Sequence, residues 1–125
     1  RHMIERGGGG RLAVTASLAA LSGAARNEHY AATKGAVVSM TYALSVEMAR
    51  YGITANAILP GWIETAMTES AFNWEKFANN VKPRIPMRRW GEGSDFGGLA
   101  VYLMSDASAY HTGDTLLIDG GYQKF

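Results

Sequence analysis

The chain has 125 residues, of which 47% are hydrophobic, and a formal net charge of +1. That suits one globular domain with its own core, and the dispersed charge offers no basic face for nucleic acid. The absence of cysteine removes disulfide and thiolate chemistry and fits a reducing compartment, and no apolar run approaches the ~18 residues of a membrane span.

The opening stretch, RHMIERGGGG, has no apolar segment of the signal-peptide kind, so cytoplasm is the default expectation. Gly7–Gly10 reads as a connector or helix stop. A phosphate-cradling glycine loop follows a strand and opens a helix, whereas this run precedes a strand. No G-x-G-x-x-G or Walker-type loop occurs anywhere in the chain.

RLAVTAS, Arg11–Ser17, predicts a buried strand with β-branched Val14 and Thr15. A small-residue loop follows, with His29 at its end. His29 is read as a solvated or hydrogen-bonded side chain. His2 and His111 lie far off in sequence and nothing has metal-ligand spacing, so no metal is assigned. Tyr30–Arg50 is the strongest helical pattern. Val37, Val38, Met40, Thr41, Leu44 and Met48 give a broad apolar surface, and Arg50 and Gly52 supply stop signals. ITANAIL, Ile53–Leu59, is a second strand ended by Pro60-Gly61. Strand, helix, strand is a βαβ unit and implies a parallel sheet.

Trp62–Pro86 mixes short helical patterns with Trp62, Phe72, Trp74 and Phe77. These aromatics are either ordinary core or the apolar face of a lid over a substrate. Pro83 and Pro86 end this stretch. Asp95–Met104 predicts a helix with Phe96, Leu99, Ala100 and Leu103 on one face. Asp114–Gly121 predicts a third strand ending in a glycine turn. No repeat, low-complexity tract or domain linker interrupts the chain.

Chemistry concentrates in Ser17–Lys34. Tyr30 and Lys34 stand i, i+4 on one helix face, a turn apart. A phenol with its ordinary pKa of about 10 is a poor base at neutral pH. An ammonium one turn away and the positive end of a helix dipole both favour the phenolate, the direction a general acid/base needs. Ser17, at the C-terminal end of a parallel strand, lies where open sheets bind ligands, and its hydroxyl could hold a carbonyl or alcohol oxygen. The Tyr-Lys spacing alone is a weak motif, and an exposed tyrosine beside a solvated lysine is its bland reading.

Taken in order, the residues resemble the short-chain dehydrogenase/reductase superfamily, of the 3-oxoacyl-(acyl carrier protein) reductase-like type. The resemblance rests on Ser17; Tyr30-x-x-x-Lys34; Gly52-Ile53, Asn56 and Pro60-Gly61; Thr65; Arg89-Trp90-Gly91-Glu92; Ser105-Asp106; and Thr112-Gly113-Asp114-Thr115-Leu116 through Asp119-Gly120-Gly121. Glu92-Gly93 departs from the family's usual Glu-Pro, a turn change of little consequence. The resemblance implies an α/β fold: the C-terminal part of a Rossmann-type doubly wound parallel sheet, with three strands, a βαβ unit and lid helices. It implies an NAD(P)-dependent oxidoreductase interconverting an alcohol and a carbonyl. Tyr30 would be the acid/base. Lys34 would favour its phenolate and bond the nicotinamide ribose, and Ser17 would hold the substrate oxygen. Pro60, Gly61, Ile63 and Thr65 would line the nicotinamide end. The choice of NAD or NADP is not readable here.

Residues 1–125 therefore correspond to the catalytic and substrate half of a single domain. The family's glycine-rich dinucleotide half has no counterpart in them. The expected partners are a small alcohol, ketone or acyl substrate, with the aromatics leaning toward an acyl type, and a second copy in a homo-oligomer, a tetramer or a dimer. The competing expectation is a non-catalytic fragment or assembly unit that does not bind cofactor by itself.

Overall fold

The computed structural model describes residues 1–124. A short helix α1, His2–Arg6, stops at Gly7, whose N–H bonds back to Met3 and Ile4. Strand β1, Gly10–Thr15, follows. A one-turn helix α2, Ala19–Ser22, leads to the long helix α3, Glu28–Met48, and a 3-10 turn, Ala49–Tyr51. Strand β2 is Ile53–Pro60. Helices α4, Glu69–Phe72, and α5, Glu75–Val81, precede a 3-10 turn, Lys82–Arg84. A second such turn, Gly93–Phe96, runs into α6, Gly97–Met104, and strand β3 is Thr115–Ile118.

The three strands form one parallel sheet in the order β1-β2-β3. Gly10 pairs with Ile53 and Thr15 with Ile58 across β1 and β2, and Ala57 pairs with Thr115 across β2 and β3. The fold class read from the sequence is the one observed. A strand flanked on both sides and covered by a helix cannot alternate polar and apolar residues. Accordingly Ile53 through Ala57 and Leu59 are all buried. Ala55 and Ala57 have no exposed surface, and their short side chains let α3 lie close to the sheet. The core joins Ala16, Val38, Ala57 and Leu59, with Ala20, Val37 and Leu117 packed around them. Burying Leu59 fully contributes about 1.5–3 kcal/mol.

Several boundaries differ from those expected. β1 ends at Thr15 rather than Ser17, although the ladder continues: Ala16 N–H donates to Ile58 O at 2.8 Å and Leu18 N–H to Pro60 O at 2.9 Å. The α3 helix starts two residues before Tyr30, because Glu28 adds an acidic first turn in which its carboxylate accepts the Arg26 N–H at 2.9 Å. Gly52 closes the following turn in the left-handed region, at φ 67°. Asp95 and Phe96 belong to a 3-10 turn, not to α6. Gly93 sits at the first position of that turn, and a Cβ there would meet nothing within 4 Å. Met40, expected to pack inward, is 49% exposed. It lies away from the buried Val38, Thr41 and Ser45 of the same helix.

Because all three strands are parallel, their C-terminal ends share one edge. The segments leaving that edge are Ser17–Asn27, Gly61–Thr65 and Asp119–Tyr122, and the N-terminus of α3 returns to it. Gly61 N–H donates to Ile118 O at 2.9 Å, so the segment leaving β2 is tied to β3. A Cβ on Gly61 would stand 2.5 Å from Asp119 Cβ. Only glycine permits that approach. At the opposite edge, buried Asn56 uses both ends of its amide. Its Nδ2 donates to His111 O at 2.8 Å, and its Oδ1 accepts the Asp114 N–H at 3.0 Å.

Candidate active site

Ser17 lies one residue past the buried Ala16 and is itself half-buried. Its Oγ accepts the Ala19 N–H at 3.1 Å. That bond starts α2 and fixes the rotamer, while the hydroxyl proton stays free to donate. Tyr30 stands in the first turn of α3, half-buried, and its hydroxyl makes no hydrogen bond among the described residues. Lys34, one turn on, donates from Nζ to Thr15 O at 3.2 Å. The same Nζ lies 5.6 Å from the Tyr30 ring centroid. One of its three donors is thus spent on the end of β1, and the ammonium is held between strand and phenol.

Ser17, Tyr30 and Gly61 line one open cleft of about 800 Å³, together with Asn27, His29, Trp62, Phe77 and Arg84. The other expected site residues are not in its wall. Pro60 closes β2 behind the cleft, and its carbonyl is taken by Leu18. Ile63 lines a separate cavity of about 130 Å³ with Arg89, Asp95 and Asp119. Ile63 O accepts the Thr68 hydroxyl at 2.7 Å, whereas its N–H has no partner among the described residues. Thr65 is exposed, and its N–H donates to Thr68 Oγ1 at 3.0 Å. The Gly61–Thr68 turn is therefore ordered by its own threonine.

The aromatic stretch resolves into two roles. Phe72 stacks on Trp90 with centroids 3.9 Å apart and planes 8° from parallel. Trp62 meets Phe77 edge-on at 5.2 Å and Tyr122 at 6.1 Å. Trp62 and Phe77 also face the cleft. Trp74 is 60% exposed and takes no part. With Phe72 and Trp90 stacked on each other, fewer apolar faces remain for an acyl chain than the sequence suggested. The Trp62 Nε1–H is buried without a partner among the described residues.

The Arg-Trp-Gly-Glu run is tied to the turn that follows it. Arg89 donates to both carboxylate oxygens of Asp95, at 2.8 and 2.6 Å, and the Glu92 N–H donates to Asp95 Oδ2 at 2.8 Å. These bonds, the Arg89 guanidinium first, pull the Asp95 carboxyl down to about 2. Gly91 forms a parallel bridge with Ile63.

Sequence reasoning missed Arg84 and Tyr122. Arg84 Nη1 donates to Tyr122 Oη at 2.9 Å, and its guanidinium lies 4.6 Å from the Tyr122 ring centroid. Nothing in the spacing around Pro83 announces this, since the pair is 38 residues apart. No group of three or more His, Cys, Asp or Glu residues able to hold a metal ion occurs among the described residues. Nor is any helix among them long and apolar enough to cross a membrane.

Comparison with known proteins agrees with this architecture. The family described as enoyl-(acyl carrier protein) reductase matches residues 1–123. A 2-dehydro-3-deoxy-D-gluconate 5-dehydrogenase of Bacillus subtilis is 43% identical over 122 residues, covering 98% of this chain and 48% of that protein. An L-rhamnose-1-dehydrogenase of Scheffersomyces stipitis is 38% identical, covering 97% of this chain and 47% of that protein. The crystal structure of a gluconate 5-dehydrogenase from Burkholderia cenocepacia, in complex with NADP and tartrate, superimposes with a TM-score of 0.88 at 38% identity. It covers all of this chain and 49% of that structure. The chain spans about half the length of the curated relatives it matches. With its parallel sheet, its family match and its relatives in agreement, the chain belongs to the short-chain dehydrogenase/reductase superfamily.

Proposed function

We propose that this chain is the catalytic half of an NAD(P)-dependent oxidoreductase that interconverts an alcohol and a carbonyl by hydride transfer. The observation that carries this reading is the pairing of Tyr30 and Ser17 in one cleft, with the Lys34 ammonium fixed against Thr15 O and 5.6 Å from the phenol ring. When a carbonyl is reduced, charge builds on its oxygen. Two donors aimed at that oxygen stabilise the charge without having to reorganise. Ser17 holds the oxygen with its free O–H, and Tyr30 delivers the proton from a hydroxyl that no other described residue engages. In the oxidative direction Tyr30 takes that proton, with the Lys34 ammonium 5.6 Å from its ring.

The residues fit a nicotinamide cofactor. Two Nζ donors of Lys34 remain for ribose hydroxyls. The partnerless Ile63 N–H and the exposed Thr65 hydroxyl provide polar contacts beyond Pro60 and Gly61. When bound, that cofactor supplies or accepts the hydride. The B. cenocepacia relative was crystallised with NADP, while the relatives are dehydrogenases of sugar acids and of a neutral sugar.

The fragment reading is favoured by a specific observation: β1 is an edge strand, with Ala13 and Thr15 exposed. We assign the nucleotide-binding half to that free edge. Outward Met40, Tyr42 and Val46 on α3, the last 81% exposed, support a second copy as partner, because a helix apolar on both faces calls for cover on both. The test is nicotinamide absorbance during turnover of a panel of alcohols and ketones, with the nucleotide-binding half present. The reading predicts saturable turnover with at least one member, and it is overturned if none reacts while cofactor binds. By itself the 125-residue chain is expected not to bind NAD(H) or NADP(H); a saturable fluorescence change would remove the fragment reading.

A further inference from the structure

We propose that Arg84 is a specificity-determining residue that receives a carboxylate, so that the preferred substrate is a polyhydroxy acid rather than a neutral sugar or an acyl thioester. The inference rests on the catalytic reading of the same cleft and names its substrate class. Among the described residues Arg84 is the one formally charged side chain in the cleft wall that also holds Ser17 and Tyr30. It forms no ion pair among the described residues; its one hydrogen bond goes to the uncharged Tyr122 hydroxyl at 2.9 Å. That bond and the ring beneath it, at 4.6 Å, orient the guanidinium while leaving most of its five N–H donors unspent. A guanidinium in this state is a fork matched to a carboxylate.

The field around it has the same sign. Lys82, Arg84, Arg88 and Arg89 follow one another within eight residues that contain no acid, and only Arg89 is neutralised, by Asp95. A cation in the cleft wall, with further basic residues next to it in sequence, attracts an anion. The remainder of the wall suits hydroxyl groups. Ser22, Asn27 and Thr68 contribute polar side chains, and no Asp or Glu lines it to repel an anion. Ser17 and Tyr30 hold the reacting oxygen, so the carboxylate that Arg84 receives sits on a carbon other than the one oxidised or reduced.

The test is calorimetric titration of D-gluconate and of its neutral counterpart D-glucitol into the protein carrying its nucleotide-binding half. The expected result is at least tenfold tighter binding of the acid, weakening with added salt. In Arg84→Gln the acid-to-polyol ratio should collapse to within about twofold, and Arg84→Lys should keep part of it. Tyr122→Phe, which retains the cation but removes the bond that aims it, should lower the ratio partially. Equal binding of the two ligands, no binding of either, or a ratio that survives Arg84→Gln would overturn the proposal. An equal loss for both ligands in Arg84→Gln would also overturn it, by marking Arg84 as a packing residue. Turnover is scored separately: acid-selective binding without nicotinamide-linked turnover sinks the catalytic reading and leaves the carboxylate site standing.

Discussion

Asn56 shows how much one buried amide can fix. It sits inside β2, 2% exposed, and pins the His111–Asp114 segment from both ends. Asn56→Ala leaves a carbonyl and an N–H unpaired and a cavity between them. We expect a loss of about 2–4 kcal/mol, read as a shift in denaturant midpoint. A loss below about 0.5 kcal/mol would contradict the pinning role. The Arg89–Asp95 clamp gives a pH-dependent signature. Asp95 is held at about 2, below the carboxylate's ordinary value near 3.8. Its contribution is therefore complete above pH ~4 and disappears as pH falls through ~2. Acid-unfolding curves of wild type and Asp95→Asn should differ above pH ~4 and converge below pH ~2. Coincident curves throughout would show that the clamp contributes nothing. At this scale the placement of Ser17 at a strand end and of Tyr30 and Lys34 on one helix face was legible, because secondary structure alone defines those positions. The Arg84–Tyr122 bond was not, since the two residues lie 38 apart and meet only through the fold.

Among the elements, those set by local periodicity were the easiest to read. The buried run Ile53–Leu59 and the long helix around Tyr30 both follow from apolar spacing, and they were found within a few residues of their observed limits. The aromatic stretch Trp62–Pro86 was ambiguous because short helices such as α4 and α5 have too few turns to display a face. Which rings faced the cleft was decided by the Phe72–Trp90 stack, 18 residues apart in sequence. Ends of strands were overrun for a related reason. Ala16 and Ser17 keep the composition of β1 and its register, with the Ala16 and Leu18 N–H groups still donating to β2, but Pro60 has no N–H to complete the pairing beyond Thr15. The junction of β2 with the lid offers a direct test. Gly61→Ala places a methyl 2.5 Å from Asp119 Cβ and 2.7 Å from its Cα, so one of the two segments has to move. Overpacking of this kind costs about 1–3 kcal/mol, and the Tm should fall accordingly. An unchanged Tm would mean that the Asp119 turn is pliant.

On the scale of the whole molecule, the sheet is open on the β1 side. Three strands give β2 two neighbours but leave β1 with one, and its backbone groups on the far side are available to another strand. We expect the 125-residue chain alone to self-associate with rising concentration in sedimentation velocity, and co-expression with a nucleotide-binding half to suppress this. A monomer that persists at high concentration would contradict the assignment of that edge. Periodicity cannot supply the sheet order, and it is the order β1-β2-β3 that leaves β1 at an edge.

The most direct measurement is the turnover of Tyr30→Phe, followed by nicotinamide absorbance with the nucleotide-binding half in place. The substitution removes one oxygen and leaves the ring beside Lys34. If Tyr30 transfers the proton, kcat falls by about 10²–10⁴, while KM stays within a few-fold of wild type. If Tyr30→Phe turns over at the wild-type rate, the proton travels by another route, and the Ser17–Tyr30–Lys34 constellation is not the catalytic centre.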